Sequence, residues 1–284
     1  MASLRDLRRR IRSVKNTQKI TKAMELVAAA RMRKAQERVE AARPYADEIS
    51  GIMAELMKRT PEYRHPYLDV RDVKRRVLIL VTADRGLNGA LNSNNIRLAV
   101  REINGSQAPV SVISVGRKGR DVIRRLRKDL IADRSGFSER PTMADVLPAA
   151  RVAMDRYESG EADQVDIVFA RFISAGRQQA TLRRIIPVVP PEDAPKVTTN
   201  FEYEPDSKDV LDALLPRYVE GQVYQAALEN AASEQAARMI AMRNASDNAN
   251  DLIDDLTLTA NKVRQSTITT ELMEIVGGAA ALEA

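Results

Sequence analysis

A regular three-four spacing of mostly apolar residues runs from residue 4 to residue 56 of this 284-residue chain. Thirteen of the sixteen positions are apolar, and the three exceptions are Gln18, Thr21 and Glu25. A heptad repeat of this length predicts a long helix whose seam packs against another helix as a coiled coil. The seam positions are Leu4, Leu7, Ile11, Val14, Gln18, Thr21, Glu25, Ala28, Met32, Ala35, Val39, Ala42, Ala46, Ile49, Met53 and Leu56.

The three polar seam residues all lie within one stretch, "KNTQKITKAMELVAAARM". Polar residues at seam positions weaken local pairing and select one register of the two helices. Because Ile20, Met24 and Val27 lie beside them, we expect the apolar stripe to shift onto these three residues here.

The C-terminal part of the chain repeats the heptad. Residues 208–276 have helical periodicity, and we expect a break or kink between Pro216 and Gly221, because proline and glycine disfavour helix interiors. The predicted seam positions are Ala245, Ala249, Leu252, Leu256, Thr259, Val263 and Ser266.

Strands alternate with helices in the middle of the chain, which is typical of an α/β domain. Buried strands are predicted at 75–83 and 109–116, and a hairpin is predicted from 164–174 and 178–189. The helices are predicted at 90–104, 117–129 and 142–160, and Thr142 is the expected N-cap of the last.

The two terminal helices are expected to pair with each other, because each has a seam to bury. Residues 1–40 hold twelve Lys/Arg and four Asp/Glu, whereas residues 229–284 hold four Lys/Arg and nine Asp/Glu. This charge difference favours their association. The predicted segments are an N-terminal helix at 1–60, an α/β domain at 74–190 and a C-terminal helix at 207–284.

The residues for most catalytic and metal sites are missing from the sequence. Cysteine is absent, and the only histidine is His65, in a proline-flanked loop. No apolar run approaches the ~20 residues of a membrane-spanning helix. A glycine-rich turn, "TADRGLNGALN", follows the first strand, but it lacks the lysine of a P-loop and the third glycine of a dinucleotide loop. We therefore predict a tight strand–helix turn in which Asp84 and Arg85 pair or cap locally, and no catalytic residue, metal or cofactor.

Two alternative functions remain open from the residues alone. The basic run from Arg8 to Lys22 is compatible with a coiled-coil adaptor that binds nucleic acid, although no aromatic residue precedes Tyr45. Nucleotide chemistry at Asp84–Gly89 is a more distant alternative.

Three stretches resemble the gamma subunit of bacterial F-type ATP synthases: "IRSVKNTQKITKAMELVAAARMRKAQ", "TADRGLNGALN" and "SEQAARMIAMRNASDNANDLIDDLTLTANKVRQSTITTELMEIVGGAAAL". The resemblance covers essentially the whole chain. It implies an α/β fold with a long antiparallel coiled coil, in which a Rossmann-like domain is inserted between the paired N- and C-terminal helices.

The resemblance also implies a function and partners. A gamma subunit is the central rotor shaft of the proton-translocating enzyme, and it couples rotation of the c-ring to conformational changes at the catalytic sites of the beta subunits. It binds no nucleotide itself. The implied partners are the hexamer of alpha and beta subunits, the epsilon subunit and the c-ring, with no nucleic acid. The implied location is peripheral, on the cytoplasmic face of the bacterial inner membrane.

Individual residues take on expected roles from the same resemblance. The outward surface of the interrupted stretch is expected to present Lys19, Lys22 and Met24, and Arg264 with Gln265 is expected to form a catch to a beta-subunit loop. The full set expected at the alpha/beta ring is Lys19, Lys22, Met24, Arg238, Arg264, Gln265, Thr269 and Glu271. The set expected at the foot, near the c-ring and epsilon, is Phe201, Tyr203, Glu204, Tyr218 and Tyr224.

Overall fold

The structure is a computed structural model that describes residues 3–59, 65–137, 139–189 and 206–282. Five helices and five strands, with one short 3-10 turn at Pro66–Leu68, make up the described chain. In chain order the elements are α1 (Leu4–Arg59), β1 (Arg76–Val81), α2 (Leu91–Gly105), β2 (Val110–Val115), α3 (Arg117–Arg125), β3 (Leu130–Arg134), α4 (Met143–Glu158), β4 (Gln164–Ser174), β5 (Arg177–Ile186) and α5 (Ser207–Leu282).

Contacts divide the chain into two compact units. Unit 1 consists of residues 1–27 and 239–284, and unit 2 consists of residues 28–238. Both long helices contribute to both units, so unit 1 contains helix alone and unit 2 contains the α/β domain with the remaining part of each helix.

The sheet in unit 2 has the strand order β3-β2-β1-β4-β5. The first four strands are parallel, and β5 pairs antiparallel with β4 as the predicted hairpin. Side chains on successive residues of β1 enter different cores, because a strand alternates its faces. Ile79 lies in the core formed with α4 and parts of α1 and α5, whereas Leu78 and Leu80 face α2 and α3. The predicted α/β architecture is confirmed.

The α1 seam agrees with the heptad. All sixteen predicted positions are buried or partly buried, and the helix continues through Pro44. In unit 2 this seam packs against α5, where Ala35 and Val39 share a buried cluster with Leu228 and Ala232. Residue numbers rise along α1 while they fall along the facing part of α5, so the two helices are antiparallel here.

Of the predicted break or kink in the C-terminal helix, the break is wrong, since α5 runs continuously through Pro216 and Gly221; a kink stays a prediction. An interior proline costs ~3 kcal/mol because it removes a backbone hydrogen bond and its ring crowds the preceding turn. Leu211, Leu215 and Val219 surround Pro216 and are at most 1% exposed. Burial of each such side chain contributes about 1.5–3 kcal/mol, so packing outweighs the cost of the proline.

The predicted α5 seam is correct at four positions and wrong at three. Ala245, Ala249, Leu256 and Val263 are buried or partly buried, whereas Leu252, Thr259 and Ser266 are exposed. The neighbouring residues Ile253 and Ala260 face inward in place of Leu252 and Thr259. The inward positions of α5 in unit 1 are Met242, Ser246, Ala249, Ile253, Leu256, Ala260 and Val263. They keep the three-four spacing of a heptad, so the prediction placed the three-residue and four-residue steps in the wrong order.

Strand β3 is absent from the sequence-based prediction. β3 (Leu130–Arg134) is the edge strand of the sheet, and its last two residues are exposed. Its sequence accordingly changes from apolar to charged within five positions. A short strand of this kind lacks both clean alternation and a continuous apolar run.

Candidate interaction surface

Two of the three polar seam residues of α1, Thr21 and Glu25, are buried on the seam in unit 1 and bond to α5. The hydroxyl oxygens of Thr21 and Ser246 are 2.7 Å apart, and both residues are at most 9% exposed. The Glu25 carboxylate, on a residue that is 5% exposed, accepts a hydrogen bond from Lys22 at 2.9 Å and one from Arg243 at 3.0 Å. These two hydrogen bonds, of which that from Lys22 has the larger effect, hold the pKa of Glu25 below its usual value.

The predicted shift of the apolar stripe is therefore wrong. Ile20 and Val27 are 60% and 51% exposed, and Met24 is only partly buried. Thr21 and Glu25 can occupy buried positions because their polar atoms are satisfied by partners on α5 and, for Glu25, also by Lys22 of α1, which removes the main cost of burying them.

Unit 1 exposes an unusual amount of apolar side chain. Ten of the eighteen large apolar residues that are exposed within the described chain lie in unit 1, although it holds only about a quarter of the residues. Large exposed apolar patches mark sites of interaction with other proteins, and five of the ten residues lie within nine consecutive positions, 268–276. We call these ten the unit 1 apolar surface: Ile20, Leu26, Val27, Leu252, Leu258, Ile268, Leu272, Met273, Ile275 and Val276.

The end of α5 holds half of this surface. Every residue from 264 to 277 is exposed, including the predicted contact residues Arg264, Gln265, Thr269 and Glu271. The Thr269 hydroxyl donates to the backbone carbonyl of Gln265 at 2.9 Å. This segment therefore presents charged, polar and apolar side chains together, and Lys19 and Lys22 of α1 are likewise exposed.

Arg238 has a different setting from the other predicted contact residues. It lies in unit 2, is 7% exposed, and forms an ion pair with Glu234 at 2.6 Å and a longer one with Glu139 at 3.7 Å. Burial raises the pKa of Glu234, and the attraction of Arg238 acts against that rise. Its assigned role at the alpha/beta ring stays a prediction.

The predicted foot residues are only partly described. Tyr218 is buried and Tyr224 is partly buried on α5, whereas Phe201, Tyr203 and Glu204 lie outside the described residues. Burial raises the pKa of the Tyr218 hydroxyl.

The glycine-rich turn after β1 has a structural role. The Asp84 carboxylate accepts the backbone N–H of Arg117, which starts α3, and that of Gly136. Leu87 and Gly89 adopt positive φ angles of 63° and 56° that close the turn. The turn is as tight as predicted, but the predicted capping is not local, since the amides that Asp84 caps come from 33 and 52 residues away.

Helix α5 occupies the crevice in which doubly wound sheets usually bind ligands. That crevice lies at the carboxyl ends of neighbouring strands where the strand order reverses, here β1 and β4. The Asn230 side chain accepts hydrogen bonds from the Asn95 amide at 3.1 Å and from the backbone N–H of Ala170 at 3.2 Å. The Ser233 hydroxyl donates to the Ala170 carbonyl at 2.9 Å.

Two kinds of site are absent from the described residues, a metal site and a membrane-spanning helix. No three of their histidine or carboxylate side chains are grouped as they would need to be to ligate a metal ion. None of their helices combines the length and apolarity needed to span a bilayer.

Comparison with known proteins identifies the family. Residues 3–282 match the ATP synthase family model. A gamma chain of ATP synthase from Dehalococcoides mccartyi strain CBDB1 is 49% identical over 284 residues, which cover 99% of this chain and all of that protein. The chain belongs to the ATP synthase gamma chain family. Another member, from Herpetosiphon aurantiacus, is 51% identical over 293 residues, 99% of each chain.

Solved structures agree with this gamma-chain fold. A chain from the central stalk and c-ring structure of Tetrahymena thermophila mitochondrial ATP synthase is 27% identical with a TM-score of 0.62, covering 80% of this chain and 99% of that one. A chain from the Euglena gracilis mitochondrial enzyme, 22% identical with a TM-score of 0.67 over 99% and 95% of the two chains, shares the fold.

Sequence reasoning missed Leu26 as a residue of the gamma-chain surface and wrongly assigned Ile20 and Val27 to the apolar stripe. Ile20, Leu26 and Val27 are apolar residues that fall outside the heptad seam, and this signal is sufficient to predict that they are exposed. No comparable signal marks Arg243 or Ser246 as the partners of the α1 polar residues, because that pairing joins positions more than 200 residues apart.

Proposed function

We propose that this chain is the central rotor shaft of a proton-translocating ATP synthase. Its partners are the hexamer of alpha and beta subunits, the epsilon subunit and the c-ring. The observation that carries the proposal is the unit 1 apolar surface, in a chain of the gamma family. So much exposed apolar area on a helical segment suits a shaft enclosed by other subunits.

Coupling in this proposal is mechanical. The α1 and α5 parts of unit 1 differ in charge, since residues 1–27 hold eight Lys/Arg and two Asp/Glu whereas residues 239–284 hold three Lys/Arg and seven Asp/Glu. Each shaft orientation therefore contacts the surrounding catalytic subunits differently. A partner that interacts unequally with two conformations shifts their populations by that difference in free energy. Rotation driven through the c-ring therefore brings each beta subunit in turn into a different state.

The buried polar pairs between α1 and α5 in unit 1 have a defined role in this mechanism. The Thr21–Ser246 and Glu25–Arg243 pairs fix the register of the helix pair. The neighbouring residues Lys19 and Lys22 are then held outward as a bearing surface, where contacts with the ring break and re-form in every turn.

The chain itself has a non-catalytic role in this proposal. Nucleotides are bound and converted by its partners, and the crevice that would bind a ligand in this type of sheet is filled by Asn230 and Ser233 of α5. The chain works on the cytoplasmic face of the bacterial inner membrane, which it reaches as a peripheral part of the complex.

The proposed catch at the end of α5 gives a direct test. The double variant Arg264→Ala/Gln265→Ala is expected to lower ATP synthesis by the assembled enzyme roughly fivefold or more, the range of a 1–3 kcal/mol coupling energy. Its fold is expected to be unchanged, because both side chains are exposed. ATP synthesis by reconstituted vesicles and the torque of single molecules are the measurements.

A matched control lies one turn earlier on the same helix. The variant Asn261→Ala/Lys262→Ala also removes two exposed polar side chains and is expected to keep wild-type synthesis. Full synthesis and torque in Arg264→Ala/Gln265→Ala would rule out the catch. A purified chain that forms a free dimer on DNA with a steep salt dependence, and never joins a nucleotide-binding hexamer, would rule out the rotor.

A further inference from the structure

Two cavities adjoin in unit 2 where α1, α5 and the β4–β5 hairpin meet. The first has a volume of about 200 Å³, and the groups that form its apolar wall are Tyr45, Ile49, Met143, Tyr218, Gly221 and Tyr224. The second has a volume of about 590 Å³, and its charged residues are Arg43, Asp47, Arg171, Arg183 and Glu229. Ala46, Gln222 and Gln225 border both cavities.

The charged cavity has an unbalanced set of arginines. Among the described residues, no carboxylate oxygen lies within ion-pair distance, 4.0 Å, of Arg43, Arg171 or Arg183. Glu229 is nearby, but its carboxylate accepts hydrogen bonds from the backbone N–H of Phe172 and from a side-chain amide.

Arg183 is the most informative of the three. Its guanidinium donates to the Gln222 side chain at 3.0 Å and lies 5.0 Å from the centre of the Phe169 ring. Burial lowers the pKa of Arg183, with an opposite contribution from Glu229. A partly buried cation that has only neutral hydrogen-bond partners is stabilised by a bound anion.

The apolar cavity has the size of one aromatic ring with a short substituent. An apolar cavity of about 150 Å³ in another protein stays dry and binds benzene. Tyrosine rings and a methionine sulfur make favourable contacts with an aromatic ligand. Gly221 contributes open space, because a Cβ added there would meet no atom within 4 Å.

We propose that the two cavities form one binding site for a small aryl-alkyl carboxylate. The ring occupies the apolar cavity beside Gly221, and the carboxylate reaches Arg171 and Arg183 across the shared wall. Such a ligand touches α1, α4, α5 and the hairpin at once, so its binding stabilises unit 2.

Calorimetric titration of the full chain with 3-phenylpropionate tests the proposal. The acid is expected to bind at least tenfold more tightly than 3-phenylpropanamide, which has the same shape and no charge. In Arg171→Gln this preference is expected to shrink severalfold, whereas Arg177→Gln, which removes an exposed arginine of the same hairpin outside both cavities, is expected to keep it.

The variant Gly221→Leu tests the apolar cavity separately. Leucine is a better helix former than glycine, and its side chain is expected to fill the cavity and weaken binding of the acid at least tenfold. Near-ultraviolet circular dichroism checks that this variant stays folded. The proposal is overturned if the acid fails to bind at millimolar concentration, if acid and amide bind equally, or if folded Gly221→Leu binds like the wild type.

Discussion

Asn230 is the residue that connects α5 to the end of the sheet, and its replacement tests how the crevice is closed. Its side-chain oxygen accepts two hydrogen bonds, from the Asn95 amide and from the Ala170 backbone N–H. All three residues are at most 1% exposed. Asn230→Leu roughly keeps the shape and size of the side chain but removes the acceptor. The buried Ala170 N–H then loses its partner, and the Asn95 amide keeps only its bond to the Val81 carbonyl at 3.0 Å.

The expected loss follows from these two donors. A buried polar group without a hydrogen bond costs about 1–3 kcal/mol, so Asn230→Leu is expected to lower the free energy of unfolding by roughly 2–6 kcal/mol. Urea unfolding followed by tyrosine circular dichroism measures this, because all seven tyrosines lie between residues 45 and 224, within unit 2. At an m-value of about 2 kcal/mol/M, the midpoint falls by roughly 1–3 M.

Two further variants separate this mechanism from a general effect of leucine. Asn94→Leu makes the same change at an exposed neighbour and is expected to stay within ~0.5 kcal/mol of the wild type. In the double variant Asn95→Leu/Asn230→Leu, both partners of one bond become apolar, so its loss is expected to be smaller than the sum of the single losses. A loss below ~1 kcal/mol in Asn230→Leu, or strictly additive losses, would refute the reasoning.

Two other predictions concern unit 1 and the α/β domain. The bonds from Lys22 and Arg243 lower the pKa of Glu25, so they stabilise unit 1 fully at a pH above 4.5, the ordinary pKa of the group. This stabilisation is lost as the pH falls through the lowered pKa. Hydrogen exchange of the helix around Glu25 is therefore expected to be slower in the wild type than in Glu25→Gln at pH 7 and equal in acid; equal rates at pH 7 would contradict this. Gly116→Ala is expected to destabilise unit 2 by more than ~3 kcal/mol, because its Cβ would lie 2.0 Å from a carbonyl oxygen at a φ of +107°. Gly136→Ala is the control, because Gly136 has a similar φ of +104° but no atom lies within 4 Å of the added Cβ. It is expected to lower the stability measured by thermal unfolding by only about 1–3 kcal/mol. Similar losses in the two variants would show that the close contact at Gly116 is unimportant.

Elements with a strong local pattern were predictable from the sequence. The heptad located the inward side of α1 at every position, and the predicted hairpin strand 164–174 has the bounds that β4 has in the structure. Prediction failed where tertiary packing overrides a local preference. Pro216 stays inside α5 because its neighbours are buried, and β3 forms because β2 offers it an edge.

The candidate interaction surface divides in the same way. The polar stretch around Thr21 and Glu25 was recognisable as unusual, yet the expected shift of the apolar stripe did not occur, because Ser246 and Arg243 satisfy those two side chains. The partner-contact roles of Arg264 and Gln265 stay predictions, which the proposed catch variant tests.

Local sequence patterns were sufficient to predict the class of the fold, the direction in which most of α1 faces, and membership of a family through the terminal motifs. These are properties of periodicity and of short contiguous patterns. Only the tertiary structure decided which distant residue satisfies each buried polar group, such as Asn230 for Asn95, and which apolar residues remain exposed on unit 1. A hydrogen bond between residues 135 positions apart depends on the path of the whole chain, and no local pattern contains that path.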